Sequence, residues 1–243
     1  MSAPANDFIV MTSGAFMAAH LALVPQLERL TKKKIVTATT SVGTGETSIH
    51  NRLKRGEVAD IVIVADGLFR QLLEEGLVLR EGWKPVARSS MGIAVRAGAR
   101  KPDISTVAGL RRTLLEANAI AYSASVSGEY FTKELCQRLG VADQVLPKSR
   151  FIGGGERTGA VVARGEADIA FQQISELLPV PGIAHITPLP PEVQKVTVFN
   201  AGVGASSSDA ALARKAIDFL ASAEAASAIT KTGLELSEPG LLR

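Results

Sequence analysis

Four stretches of this chain place hydroxyl, glycine or amide side chains directly after an apolar run. Thr12-Ser13-Gly14 follows Phe8-Ile9-Val10-Met11, and Ser41-Val42-Gly43-Thr44-Gly45 follows Ile35-Val36-Thr37-Ala38. Ser123-Ala124-Ser125-Val126-Ser127-Gly128 follows Ala119-Ile120-Ala121-Tyr122, and Gln172-Gln173 closes Ile169-Ala170-Phe171. A triple-glycine loop, Gly153-Gly154-Gly155, leads to Arg157. Hydroxyls and free N–H groups at the start of a helix suit an anion, and an arginine adds a planar fork that matches a carboxylate. The candidate contacts are therefore Thr12, Ser13, Gly43, Thr44, Gly45, Ser125, Ser127, Arg157 and Gln172. The expected ligand is a small anion, an organic carboxylate in particular.

Other chemistries find less support. Cys136 is the only cysteine, so no intrachain disulfide can form. It lies beside Phe131, Leu135 and Leu139 and reads as a small core residue. His20, His50 and His185 do not cluster with further ligands, so no metal site is expected. The serine–glycine pairs lack the G-x-S-x-G elbow of a nucleophilic serine, and the Gly43 loop lacks the dinucleotide-binding spacing. The net charge of +3 and the pI of about 9.1 lean toward an anionic ligand. The charge is too small and scattered for nucleic acid, which usually needs a basic patch. No apolar run is long enough to insert in a bilayer. The opening MSAPANDF lacks the regions of a signal peptide. The chain thus reads as cytoplasmic as written, or as periplasmic if it is a mature form restarted with Met.

The elements that must position these residues follow from periodicity. Lys34 to Asp66 reads as strand, glycine loop, helix and strand, with Ile49 and Leu53 on one helix face and Ile61–Ala65 a strand buried on both sides. Phe8–Met11 and a helix from about Ala15 to Leu30 precede it, with Pro25 a place for a bend. The middle of the chain repeats the alternation: strands at Ser90–Val95, Ala119–Ser123, Lys148–Ile152 and Asp168–Gln172, and helices from about Thr106, Glu129 and Thr158. Glu176 to Pro191 reads as loop with four prolines, Val193–Val203 as a long strand, and the tail as two helices. Alternating strands and helices predict parallel sheets covered on both faces. The fold class is α/β with two lobes: residues 1–88 with 198–243 form lobe I, and residues 89–197 form an inserted lobe II joined by two crossover segments. Ligands of such sheets lie at the carboxyl ends of the strands, which predicts a cleft between lobes that closes by a hinge.

The hydroxyl loop, the "G-x-G" loop, "RLKRGEVADIVIVAD" and "ARGEADIAF" together resemble the molybdate-binding proteins, periplasmic-type solute-binding proteins of the second structural class. The resemblance runs from Phe8 to about Gly233 and is strongest over Asn51–Asp66. It implies the two-lobed fold, an oxyanion held by hydroxyls and amides, no cofactor, a monomer, and an ABC transporter membrane complex as partner. It places ligand contacts at Thr12-Ser13, at Thr44 or its neighbour, at Ser127, at Arg157 and at Phe171. Phe171 replaces a tyrosine and Arg157 an apolar residue, which favours an organic acid over molybdate. The same broad family is similar to aconitate isomerase. That alternative needs a general base, for which Glu46, His50, Glu129 and Tyr122 are candidates; proton transfer itself needs no metal.

Overall fold

Apolar β-branched runs become strands here because both of their faces are covered. Ile61–Ala65, five apolar residues in sequence, is buried at every position. The structure, a computed structural model, describes residues 7–38, 45–153 and 155–237.

In chain order, β1 (Asp7–Thr12), α1 (Gly14–Thr31), β2 (Lys34–Ala38), α2 (Ile49–Lys54), β3 (Ile61–Ala65) and α3 (Asp66–Glu74) come first. β4 (Lys84–Arg96), α4 (Val107–Glu116), β5 (Ile120–Ser123), α5 (Val126–Glu129), α6 (Cys136–Arg138) and α7 (Ala142–Val145) follow. Next are β6 (Ser149–Ile152), α8 (Thr158–Ala163), β7 (Ile169–Gln173), α9 (Ile174–Leu177) and β8 (Ile183–Pro188). β9 (Val196–Val203), α10 (Ala210–Leu220) and α11 (Ala223–Thr230) complete the described elements. The chain divides into two compact units, Met1–Arg88 with Thr197–Arg243, and Ser89–Val196.

The first unit carries strands in the order β2-β1-β3-β9. The first three are parallel, and β9 returns antiparallel against β3, with Val64 opposite Asn200. Met11, Val62 and Val64 pack with Ile49, Leu53, Phe69 and Leu72 on one face. Helix α1 packs against α10 and α11. Its Phe16, Leu23 and Leu27 are fully buried, each worth about 1.5–3 kcal/mol relative to exposure. The helix runs through Pro25 to Thr31 without a break in its assignment.

In the second unit the order is β4-β7-β5-β6, with β8 on the other side of β4. β5, β6 and β7 are parallel, and β4 runs antiparallel to both β7 and β8. The expectation of wholly parallel sheets is thus corrected at β4, β8 and β9. The proline-rich stretch read as loop holds α9 and β8, and β8 reaches Pro188. Prolines are tolerated where the strand is at an edge, so their presence hid a real strand. The helix expected from Glu129 begins earlier, at Val126, and passes through a π-helical segment, Tyr130–Leu135, before α6. Phe131 lies 4.9 Å from Phe171 and 5.6 Å from Tyr122 between ring centres, anchoring that helix on β5 and β7.

Candidate functional site

The second unit builds a polar cluster at the carboxyl edge of three parallel strands. β5 and β7 pair with Ile120 beside Ile169 and Ala121 beside Ala170. Two residues further on, the same register brings Ser123 alongside Gln172. The Gln172 amide donates from Nε2 to Ser123 Oγ at 2.7 Å. Ser123 and Ser125 share a hydrogen bond of 2.9 Å between hydroxyls, and Ser125 and Ser127 one of 2.8 Å. Ser127 Oγ then donates to Gln172 Oε1, which also accepts the backbone N–H of Gln173 at 3.0 Å. The result is a closed ring of three hydroxyls and one amide. Ser127 is fully buried and Gln172 nearly so. Gly128 is required beside it, because a Cβ there would stand 1.7 Å from the Ser123 carbonyl oxygen.

Arg157 sits at the start of α8, beyond the end of β6 in the same parallel set. It is exposed, and among the described residues its guanidinium makes no hydrogen bond or ion pair. Its electrostatic neighbour is Glu176 of α9. That carboxyl is partly buried, and burial pushes it up to about 7, with Arg157 pulling the other way. Glu176 was not singled out in the sequence, since nothing local marks a carboxylate that folding will strip of water.

The first unit gathers a second polar group. The Ser13 N–H donates to the Ile63 carbonyl at 2.9 Å, which fixes Ser13 at the head of α1. Its hydroxyl is buried and meets no partner among the described residues. Thr12 is fully buried and directs its hydroxyl to the Ser13 carbonyl at 3.3 Å. Gly43 and Thr44 lie outside the described residues. Gly45 is exposed in a turn, and its carbonyl accepts the Ser48 N–H at 2.9 Å. Asn200, also missed in the sequence, donates from Nδ2 to Asp66 Oδ1 at 3.0 Å and is fully buried.

The four titratable candidates are placed as follows. Glu46 is exposed, and its carbonyl accepts from Arg55 at 2.8 Å. His50 Nε2 lies 2.8 Å from Glu75, whose carboxyl is held down at about 2 by hydrogen bonds from Gln71 and His50. Glu129 is exposed and pairs with Lys133 one helical turn on. Tyr122 is half-buried between Phe131 and Phe151. Phe171 lies wholly in the aromatic core. Cys136 is fully buried, and its thiol is pushed up to about 12 by that burial. Among the described residues no group of three His, Cys, Asp or Glu side chains could hold a metal ion. No helix among them is long and apolar enough to cross a membrane.

Comparison with known proteins places these features. The profile of a bacterial extracellular solute-binding protein family matches residues 8–235. An aconitate isomerase from Pseudomonas sp is 37% identical over 233 residues, covering 96% of this chain and 88% of that protein. The periplasmic molybdate-binding protein of Azotobacter vinelandii superposes with a TM-score of 0.77 at 18% identity, over 95% of this chain and all of that one. The binding protein AgtB of A. tumefaciens, in complex with agropinic acid, gives a TM-score of 0.69 at 16% identity, over 96% and 84%. The fold is that of the periplasmic binding proteins.

Proposed function

The chain belongs to the bacterial extracellular solute-binding protein family, and from that premise we propose that it binds a small organic carboxylate. The observation that carries this reading is Arg157: an exposed guanidinium, without a hydrogen bond among the described residues, at the strand edge that also carries the Ser123–Ser125–Ser127–Gln172 ring. A guanidinium fork matches two carboxylate oxygens at once, where a single ammonium or amide cannot. Hydroxyls adapt as donors to whatever oxygens remain. Open α/β sheets take their ligands outside the carboxyl ends of the strands, where this cluster stands. The protein then works outside the cytoplasm and passes its ligand to an ABC transporter complex.

The test is calorimetry of the wild type and Arg157→Ala against carboxylates and against sulfate. A charge-assisted bidentate pair is worth about 1.5–3 kcal/mol, so the variant loses carboxylate affinity by roughly 10- to 150-fold and keeps its sulfate affinity. Equal loss of both, or loss of neither, removes Arg157 from the role given to it.

A second reading, isomerisation of an unsaturated di- or tricarboxylate, is favoured by the aconitate isomerase relative and by Glu176. Moving a double bond along a carbon chain means taking a proton from one carbon and returning it to another. A base that titrates near the working pH does both steps well. Glu176, held at about 7 by burial against the opposing pull of Arg157, has that property. Incubating the protein with cis- and trans-aconitate and following the spectrum separates the readings. Turnover abolished by Arg157→Ala and by Glu176→Gln supports the enzyme, and tight binding without turnover supports the receptor.

A further inference from the structure

Glu176 has no task in a site that holds only a carboxylate, yet it stands among the residues that would form one, all of them in the second unit. It follows directly on the end of β7, which carries Gln172 of the serine ring, and its helix α9 packs on β7 and β8. Helix α8 lies against β5 and β7 and links two parallel strands, so its head, with Arg157, stands over the same strand ends. A side chain at Gly159 in the first turn of α8 would begin 3.2 Å from Val180, just past α9. Arg157 thus acts on the Glu176 carboxyl, but makes no ion pair with it, and that carboxyl takes no hydrogen bond among the described residues. The other charges nearby are placed elsewhere. β7 carries none, His185 of β8 is exposed, and Glu156 pairs with Arg164.

The ring has a direction. The Gln173 N–H donates to Gln172 Oε1, which keeps the amide from turning over. Gln172 Nε2 therefore donates to Ser123, and Oε1 accepts from Ser127. Each serine has one proton to give. That of Ser127 goes to Gln172, so Ser125 supplies the proton toward Ser127, and Ser123 the proton toward Ser125. All three hydroxyl protons are engaged, and each oxygen keeps a lone pair. Ser127 is fully buried, whereas Ser123 and Ser125 are half-buried and open to a ligand. These two hydroxyls turn outward as donors only by opening the ring; closed, it offers acceptors.

We infer that the ligand is an amino acid held by both of its charged ends: its carboxylate on Arg157, and its ammonium on Glu176 and on the outward lone pairs of Ser123 and Ser125. The inference rests on the carboxylate reading above and narrows it. An ammonium has three donors and no acceptor, which suits three oxygens left as acceptors. It also gives the Glu176 carboxylate the cation that burial makes costly to do without. All four side chains are within reach of solvent: Arg157 is exposed, and Glu176, Ser123 and Ser125 are half-buried.

Isothermal titration at about pH 8, where Glu176 is largely ionised, tests this with matched acids. Aspartate, malate and succinate form one series, and alanine, lactate and propionate another; each changes ammonium to hydroxyl to hydrogen on one frame. In the series that binds, the amino acid is expected to exceed its hydroxy and unsubstituted partners by about 10- to 150-fold. Glu176→Gln, which keeps the shape of the side chain, is expected to bring that ratio within threefold. Arg157→Ala is expected to weaken all members alike. Hydroxy or unsubstituted acids that bind within threefold of the amino acid would overturn the inference and leave the carboxylate site standing. A ratio unchanged in a folded Glu176→Gln protein would overturn it too. Binding of no acid from either series, or binding indifferent to Arg157→Ala, would instead overturn the carboxylate reading, and the inference with it.

Discussion

Glu176→Gln should make the protein more stable at alkaline pH and change it little in acid. The carboxyl is partly buried, lacks a hydrogen-bond partner among the described residues, and is pushed from 4.5 up to about 7 by the loss of water around it. A carboxyl with a higher pKa folded than unfolded keeps its proton longer in the folded state. Its share of stability is therefore full below about pH 4.5 and is lost as pH rises to and beyond 7. At about 1.4 kcal/mol per tenfold, the interval from 4.5 to about 7 corresponds to up to about 3 kcal/mol. Glutamine keeps the shape of the protonated acid and has nothing to ionise. The difference between variant and wild type in urea unfolding should grow from under about 1 kcal/mol at pH 5 to about 3 kcal/mol at pH 8. In melting temperature that is roughly 6–12 °C at the alkaline end for a chain of this size. Helix α9 packs on β7 and β8, so Arg157 and the exposed His185 of β8 are the charged or titratable neighbours to consider. The pull of Arg157 on the carboxylate exists only in the wild type and already enters the value of about 7. A difference that stays flat across this range, or grows toward acid, refutes the account of Glu176.

Two further outcomes are expected. His20 is fully buried against Thr37, at 2.8 Å, and burial lowers its pKa to about 4. The unfolded chain takes up a proton that the folded one refuses, so stability should fall by about 3 kcal/mol as pH drops from 6.5 to about 4. In His20→Gln, urea midpoints at those two pH values should show that share gone. Gly128→Ala drives a Cβ into the Ser123 carbonyl, and displacing backbone there should cost about 3 kcal/mol or more. Thermal melting checks it, and a change under 1 kcal/mol would mean that the serine turn yields easily.

Local pattern exposed much of this molecule. The run Ile61–Ala65 announced a doubly covered strand, and Ser125, Ser127 and Gln172 were singled out from their places after strands; the fold brings all three into one ring. Residues whose role depends on distant chain were not readable in that way. Asn200 acquires its place from β9 lying against β3, a pairing between segments 134 positions apart along the chain at Asp66. Glu176 becomes unusual only through burial, which no neighbour in sequence encodes. β8 was hidden because prolines at its end and before it outweighed a short alternating pattern.

The first unit is sewn from both ends of the polypeptide, and this orders events during synthesis. Its sheet lacks β9, and α1 lacks the cover of α10 and α11, until residues past Val196 have been made. The second unit, Ser89–Val196, is continuous and has all its strands beforehand. At the usual pace of translation the amino-terminal segment waits on the order of ten seconds for its missing strand. The middle of this chain is therefore free to fold before its beginning, and the apolar strands β1 and β3 are the part most in need of a chaperone during that delay.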